Sequence, residues 1–208
     1  MRHNPACLSL VMLLACAPEG ESIAEEDNTS EVLEDGLSYS EDAMVLNFGE
    51  QGVEDWFAVN DTVMGGVSSG TLTFDDDTMV FEGEVSTESN GGFASVRSPQ
   101  DSIDLSMYRR VLIRMKSKGQ PFSIILADSP LWFDNQYKYD IVVPDDDWNT
   151  IEILFEDFQE YQLSTGYPEP TGISMAPEDT EEIVHMELMS RQFEDGEYRL
   201  EVDYIAFD

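Results

Sequence analysis

His185 is the sole histidine after residue 3, and Cys7 and Cys16 are the two cysteines of the chain, so few nucleophilic or metal-binding arrangements are open to it. A Cys-His pair cannot form in the body, and a zinc centre would need several His or Cys ligands that are not there. A Ser-His-Asp relay would have to run through His185. In "IVHMELMS", however, Val184, Met186 and Leu188 alternate with His185 and Glu187, which puts His185 on the polar side of a strand beside Glu187. A carboxylate pair acting on glycosides is the remaining enzymatic reading. The body carries 36 acids, so finding two at a suitable spacing carries no information. No Gly-x-Gly-x-x-Gly or phosphate-binding loop occurs. The expectation is a non-enzymatic domain without a cofactor. The Asp75-Asp76-Asp77 and Asp145-Asp146-Asp147 runs could hold a structural calcium ion, although such runs usually serve as turns. Among the aromatics, Trp132 and Tyr137 in "SPLWFDNQYKYD" could stack on a sugar ring, or they could pack in a core.

Two segments remain that fit none of this chemistry: "NDTVMGGVSSG", Asn60 to Gly70, and "ESNGGFASVRS", Glu88 to Ser98. Each carries a Gly-Gly pair, which permits positive φ or a close backbone approach. Arg97 is the sole base between residues 3 and 108. A lone guanidinium in so acidic a stretch calls for a fixed carboxylate, and Asp61 or Glu88 could supply it. The expectation is that Arg97 pairs with Asp61 and that the two segments join two layers of strands.

These segments must be positioned by strands. "GTLTF" places Leu72 with Phe74, "VLIRMKS" places Val111 with Ile113 and Met115, and "PFSIILA" places Phe122 with Ile124 and Leu126. "QYKYDIVV" sets Tyr137, Tyr139 and Ile141 together, "WNTIEILF" sets Ile151, Ile153 and Phe155, and "EYRLEVDYIAFD" sets Tyr198, Leu200, Val202 and Tyr204. Period two means half-buried strands. About ten short strands separated by polar turns predict an all-β fold, an antiparallel β-sandwich. "FEDFQEY" fits one helical turn, and residues 163–182 read as a long surface loop.

The 208 residues divide into three parts. Residues 1–15 have Arg2 and then an apolar run too short to span a bilayer, the pattern of a secretory signal. Leu13-Leu14-Ala15-Cys16 reads as a bacterial lipobox, with Cys16 lipidated; cleavage by ordinary signal peptidase after Ala17 is the alternative, and it would leave Pro18 at the new terminus. Ala17 after the cysteine points toward the outer membrane. Residues 16–39 form an acidic tether with eight carboxylates and no base, reaching roughly 25 Å as a flexible coil. Residues 40–208 are the folded body. The whole chain has 44 acids and 10 bases, a net charge of −34. That excludes nucleic acid as a direct partner and favours a soluble monomer. Such a surface suits salty water, where screening relieves repulsion, or equally a secreted protein kept soluble by charge.

The two glycine segments resemble the signature of the complex I intermediate-associated protein 30 family. Asn60, Asp61, Val63, Met64, Gly65, Gly66 and Ser68 match its first part; Phe81, Gly83, Ser86, Glu88, Asn90, Gly91, Gly92, Phe93, Ser95 and Arg97 match its second. Ser89 departs, standing where Asn is usual. "DLSMYRRVLIRMKSKG" and "LEVDYIAF" are similar to weaker later blocks, so the resemblance runs from about Leu46 to the end. It implies a galactose-binding-like jelly roll and a chaperone-like role in assembling respiratory complex I, without catalysis. An exported chain does not meet the cytoplasmic arm of that complex. The expected partner is therefore a protein of the cell envelope, with a glycan, bound as by a carbohydrate-binding module, as the alternative.

Overall fold

The computed structural model describes residues 31–32, 37–49, 55–75, 78–144, 146–163, 168–190 and 194–208. The signal segment, Cys16, most of the tether, and Asp76, Asp77 and Asp145 of the Asp-rich turns lie outside the described residues. Two antiparallel sheets face each other. The first has seven strands in the order β13 (Pro168–Ser174), β12 (Gln159–Leu163), β10 (Gln136–Asp140), β9 (Phe122–Ala127), β14 (His185–Ser190), β7 (Ala94–Arg97) and β4 (Phe57–Asn60). The second runs β11 (Asn149–Leu154), β8 (Arg110–Gly119), β15 (Gly196–Phe207), β6 (Thr78–Val85) and β5 (Ser69–Asp75), with β3 (Met44–Asn47) on the far end of β15. A short ribbon pairs β1 (Glu31–Val32) with β2 (Ser38–Tyr39). Among the described residues the helical elements are short 3-10 turns. This is the all-β sandwich that the alternation predicts.

The core lies between the sheets and uses the residues that the period-two pattern selects. Val111, Ile113 and Met115 from β8 meet Phe122, Ile124 and Leu126 from β9, all buried. Tyr198 packs against both Phe81 and Phe122, with ring centroids 5.0 and 5.7 Å away. One predicted face is broken. Pairing of β15 with β8 shifts register between Val202 and Tyr204, so Asp203 is the extra residue of a bulge. Beyond it Ile205 and Phe207 enter the main core, while Tyr204 turns to the outer side and packs with Leu112 and Ala206, edge-on to Tyr39. The expected loop over residues 163–182 is also corrected. It contains β13 and a 3-10 turn at Pro177–Thr180. Pro168 and Pro170 disguise the strand, and they are tolerated because β13 is the last strand of its sheet.

The few bases hold the acidic body together. Arg97, Arg110, Arg114, Arg199, Lys116 and Lys138 each lie within salt-bridge distance of a carboxylate. Arg110 reaches both Asp208 and Glu152 and donates to the Ser38 carbonyl, pinning the chain's end beside β2.

Candidate functional site

The signature segments meet around one carboxylate. Asp61 opens the 3-10 turn Asp61–Met64 at the end of β4 and is fully buried. Its Oδ1 accepts the Ser68 N–H at 2.9 Å. Its Oδ2 accepts the Ser68 hydroxyl at 2.5 Å and the Gly92 N–H at 2.7 Å, with the Phe93 N–H at 3.4 Å. The Ser68 hydroxyl in turn accepts the Ser86 N–H at 2.9 Å. β5 belongs to one sheet and β7 to the other, so this clasp joins the layers. Its glycines are required by space: a Cβ on Gly66 would stand 2.4 Å from the Asp61 carboxyl carbon, and one on Gly91 would stand 2.3 Å from Oδ2. Gly65, at φ 92°, ends the turn in the left-handed region. Asn60 donates to the Gly70 carbonyl at 3.3 Å, and the Ser95 hydroxyl donates to the Val59 carbonyl at 3.1 Å. Glu88 and Asn90 sit on an exposed 3-10 turn where Ser89 and Asn90 both take positive φ.

Arg97 does not pair with Asp61, contrary to the sequence expectation, nor is Glu88 its partner. Its guanidinium meets Glu187 at 2.8 Å, its direct cross-strand neighbour on β14. The reason is the pleat. Val96 points into the core, so Arg97 points to the outer face of the seven-stranded sheet, as do Glu187 and His185. Asp61 needs no countercharge because backbone N–H groups already surround it.

That outer face is a basin. Across the strands, Phe57, Arg97, Glu187, Ile125, Lys138 and Gln159 stand in one register row. Glu187 and Ile125 are buried although they face away from the core, because loops rise around them. The depression holds about 260 Å³. Met64 and Phe93 wall one side, Trp132 and Phe133 another, and Tyr161 and Pro168 the far end. The loop after β9 presents its aromatics firmly: the Ser129 hydroxyl donates to Asp134 at 2.6 Å, and the Leu131 carbonyl accepts the Asp134 N–H at 3.1 Å. Trp132 and Phe133 stand edge to face with centroids 5.7 Å apart, and they are 56% and 54% exposed. Lys138 lies 4.6 Å from the Tyr161 ring centroid and 3.1 Å from Asp140.

His185 lies on this face too, beside Glu187 as the alternation predicts, and it is buried there. Among the described residues neither ring nitrogen has a hydrogen-bond partner, and none of the described serines forms a relay with it. Burial, reinforced by the nearby Arg97 charge, pushes its pKa down to about 4 and keeps it neutral. Tyr137 is a correction: it points into the core, where burial and Asp179 raise the pKa of its phenol, and it does not reach the basin. Trp132 does line the basin. Sequence reasoning missed Met64, Phe93 and Tyr161 as basin residues. The first two belong to the signature itself, each beside one of its Gly-Gly pairs. Among the described residues no group of three or more His, Cys, Asp or Glu is placed to hold a metal ion.

The fold has solved counterparts. A family 11 carbohydrate-binding module from Clostridium thermocellum, in complex with a β-1,3-1,4-mixed-linked tetrasaccharide, superposes with TM-score 0.54 at 20% identity, over 79% of this chain and 94% of that one. The family 11 module of the cellulosomal cellulase Lic26A-Cel5E of Clostridium thermocellum gives TM-score 0.55 at 20% identity, over 79% and 93%. An agarase, AgWH50C, matches with TM-score 0.50 at 12% identity, over 80% of this chain and 24% of its own. These likenesses establish a shared jelly-roll fold. No curated protein matches the chain. A sequence model of complex I intermediate-associated protein 30 matches residues 46–202, which include the Asp61 clasp and the signature residues that wall the basin; the chain belongs to the complex I intermediate-associated protein 30 family.

Proposed function

We propose that this protein is a non-enzymatic binding domain and that the outer face of its seven-stranded sheet takes a carbohydrate chain. The observation that carries the reading is the exposed Trp132–Phe133 pair standing over a mainly apolar basin whose lining also holds Gln136, Gln162, Lys138 and the Arg97–Glu187 pair. Aromatic faces offer apolar area to the C–H faces of a sugar ring, while side chains such as Gln136 and Gln162 offer hydrogen bonds to its hydroxyls. Glu187 is engaged by Arg97 and His185 has no partner to relay a proton, which supports binding without turnover. Measuring the protein against an array of polysaccharides tests this. A hit should weaken at least about tenfold in Trp132→Ala, with the melting temperature unchanged. Binding that ignores Trp132 would reject the basin as the site.

The family itself favours a second reading, in which the same face engages a protein and the domain serves as an assembly factor of the envelope. Capture from an envelope extract that is lost in Trp132→Ala, with no polysaccharide bound, would select it. Both readings include export and a lipid anchor at Cys16, followed by the acidic tether. Acyl labelling should disappear in Cys16→Ser.

A further inference from the structure

We propose that the basin selects uncharged, linear glycans and binds them along their length. This rests on the carbohydrate reading above and narrows it. Among the described residues the charged side chains lining the basin are two cations, Arg97 and Lys138, and two carboxylates, Asp134 and Glu187, so that lining is neutral overall. Neither cation is free. Arg97 is held by Glu187 at 2.8 Å, and Lys138 by Asp140 at 3.1 Å while it lies over the Tyr161 ring. Among the described residues an acidic sugar would therefore meet only cations that already carry a carboxylate, with their charge offset. It would also approach a body whose 36 acids outnumber its nine bases. A cationic glycan would be drawn to the whole acidic surface, not to this face.

The shape argues for a chain, not a chain end. The walls begin beside β7 with Phe93 and Met64 and end on β13 with Pro168. Five strand spacings lie between β7 and β13, roughly 24 Å measured across the sheet. The walls therefore follow the direction across the strands. Aromatic residues recur along it, with Trp132 and Phe133 in the β9–β10 loop and Tyr161 farther out on β12.

The test is calorimetric titration of the purified protein with three polymer classes: a neutral mixed-linkage β-glucan and a neutral galactan, the acidic polygalacturonate and heparin, and the cationic chitosan. A length series of oligosaccharides from the best neutral polymer completes it. The expected result is binding of a neutral polymer whose affinity changes less than about twofold between low salt and about 0.5 M salt. That affinity should rise with chain length from the single sugar upward and fall at least about tenfold in Trp132→Ala. Trp132-dependent binding of polygalacturonate or heparin would overturn the charge selection while leaving the carbohydrate reading intact. A single sugar binding as tightly as the polymer would overturn the chain-long mode. If no polymer binds in a Trp132-dependent way, the carbohydrate reading falls and this inference with it.

Discussion

Asp61 and Glu187 are both buried carboxylates attached to the same family signature, and they are treated in opposite ways. Asp61 sits among N–H and O–H donors from Ser68, Gly92 and Phe93, all within a few residues of a glycine. Glu187 sits on the outer face against a guanidinium that is itself 19% exposed at its side chain. Asp61's own two oxygens are both engaged, and beside it a single buried acceptor, the Asn60 Oδ1, is left over among the described residues. Around Glu187 more is left over: the Arg97 Nε and both His185 nitrogens are buried without partners. A carboxylate with both oxygens engaged fixes one structure, whereas leftover donors and acceptors next to an open basin are what a binding face provides. The signature therefore has two jobs, a clasp that joins the sheets and a wall and floor for the basin.

The largest effect should come from breaking the clasp. Asp61→Ala leaves several buried donors without an acceptor, and we expect a loss of about 3–5 kcal/mol in urea unfolding. Gly91→Ala drives a methyl group to within 2.3 Å of the carboxylate; overpacking of this kind costs about 1–3 kcal/mol. If either variant melts like the parent, the clasp does not join the sheets.

Arg97→Met should cost somewhat less than Asp61→Ala, because the stranded Glu187 can draw on water at the basin, and we expect about 2–3 kcal/mol. Adding Glu187→Met should recover most of that loss, since a buried pair replaced by apolar groups is often neutral. No second substitution should rescue Asp61→Ala in the same way, which is where the two regions part. His185 sharpens the contrast through pH. Its pKa in the folded protein, about 4, lies below the ordinary 6.5, so the unfolded chain binds the extra proton first. The neutral ring's contribution is complete above pH 6.5 and is lost as pH falls toward 4. Other carboxylates titrate nearby, so the useful quantity is the stability difference between the parent and His185→Phe. Over that window it should shift against the parent, by up to about 3 kcal/mol.

How far the sequence could be read follows from what each feature depends on. Strand faces were legible because alternation is local: Val111, Ile113 and Met115 needed no knowledge of the rest of the chain. Tyr204 was misplaced because a bulge at Asp203 depends on how β15 pairs with β8, not on its own residues. The clasp was legible as a motif, but its charge partner was not. Arg97 and Asp61 are close in sequence terms, yet the pleat sends Arg97 to the other side of the sheet, to a glutamate 90 residues later. Trp132 was readable as a candidate because Asp, Asn and Gln surround it. Tyr137 was chosen on the same ground and failed, because one step along a strand exchanges the basin for the core.

The smallest effect is the most discriminating. Met64 stands three residues from Asp61 in the same signature, and it is 58% exposed at the basin wall. If the signature were scaffold throughout, a polar replacement at Met64 should cost stability as the glycines do. If the signature has two jobs, Met64→Ser removes only exposed apolar surface and should leave unfolding within about 0.5 kcal/mol of the parent. Its effect should appear instead in ligand affinity, with a loss smaller than that of Trp132→Ala because a thioether offers less rigid area than an indole. Chemical denaturation and titration on the same sample separate the two outcomes. A destabilised Met64→Ser with unaltered affinity would return the whole signature to scaffolding and leave the basin to Trp132, Phe133 and Tyr161.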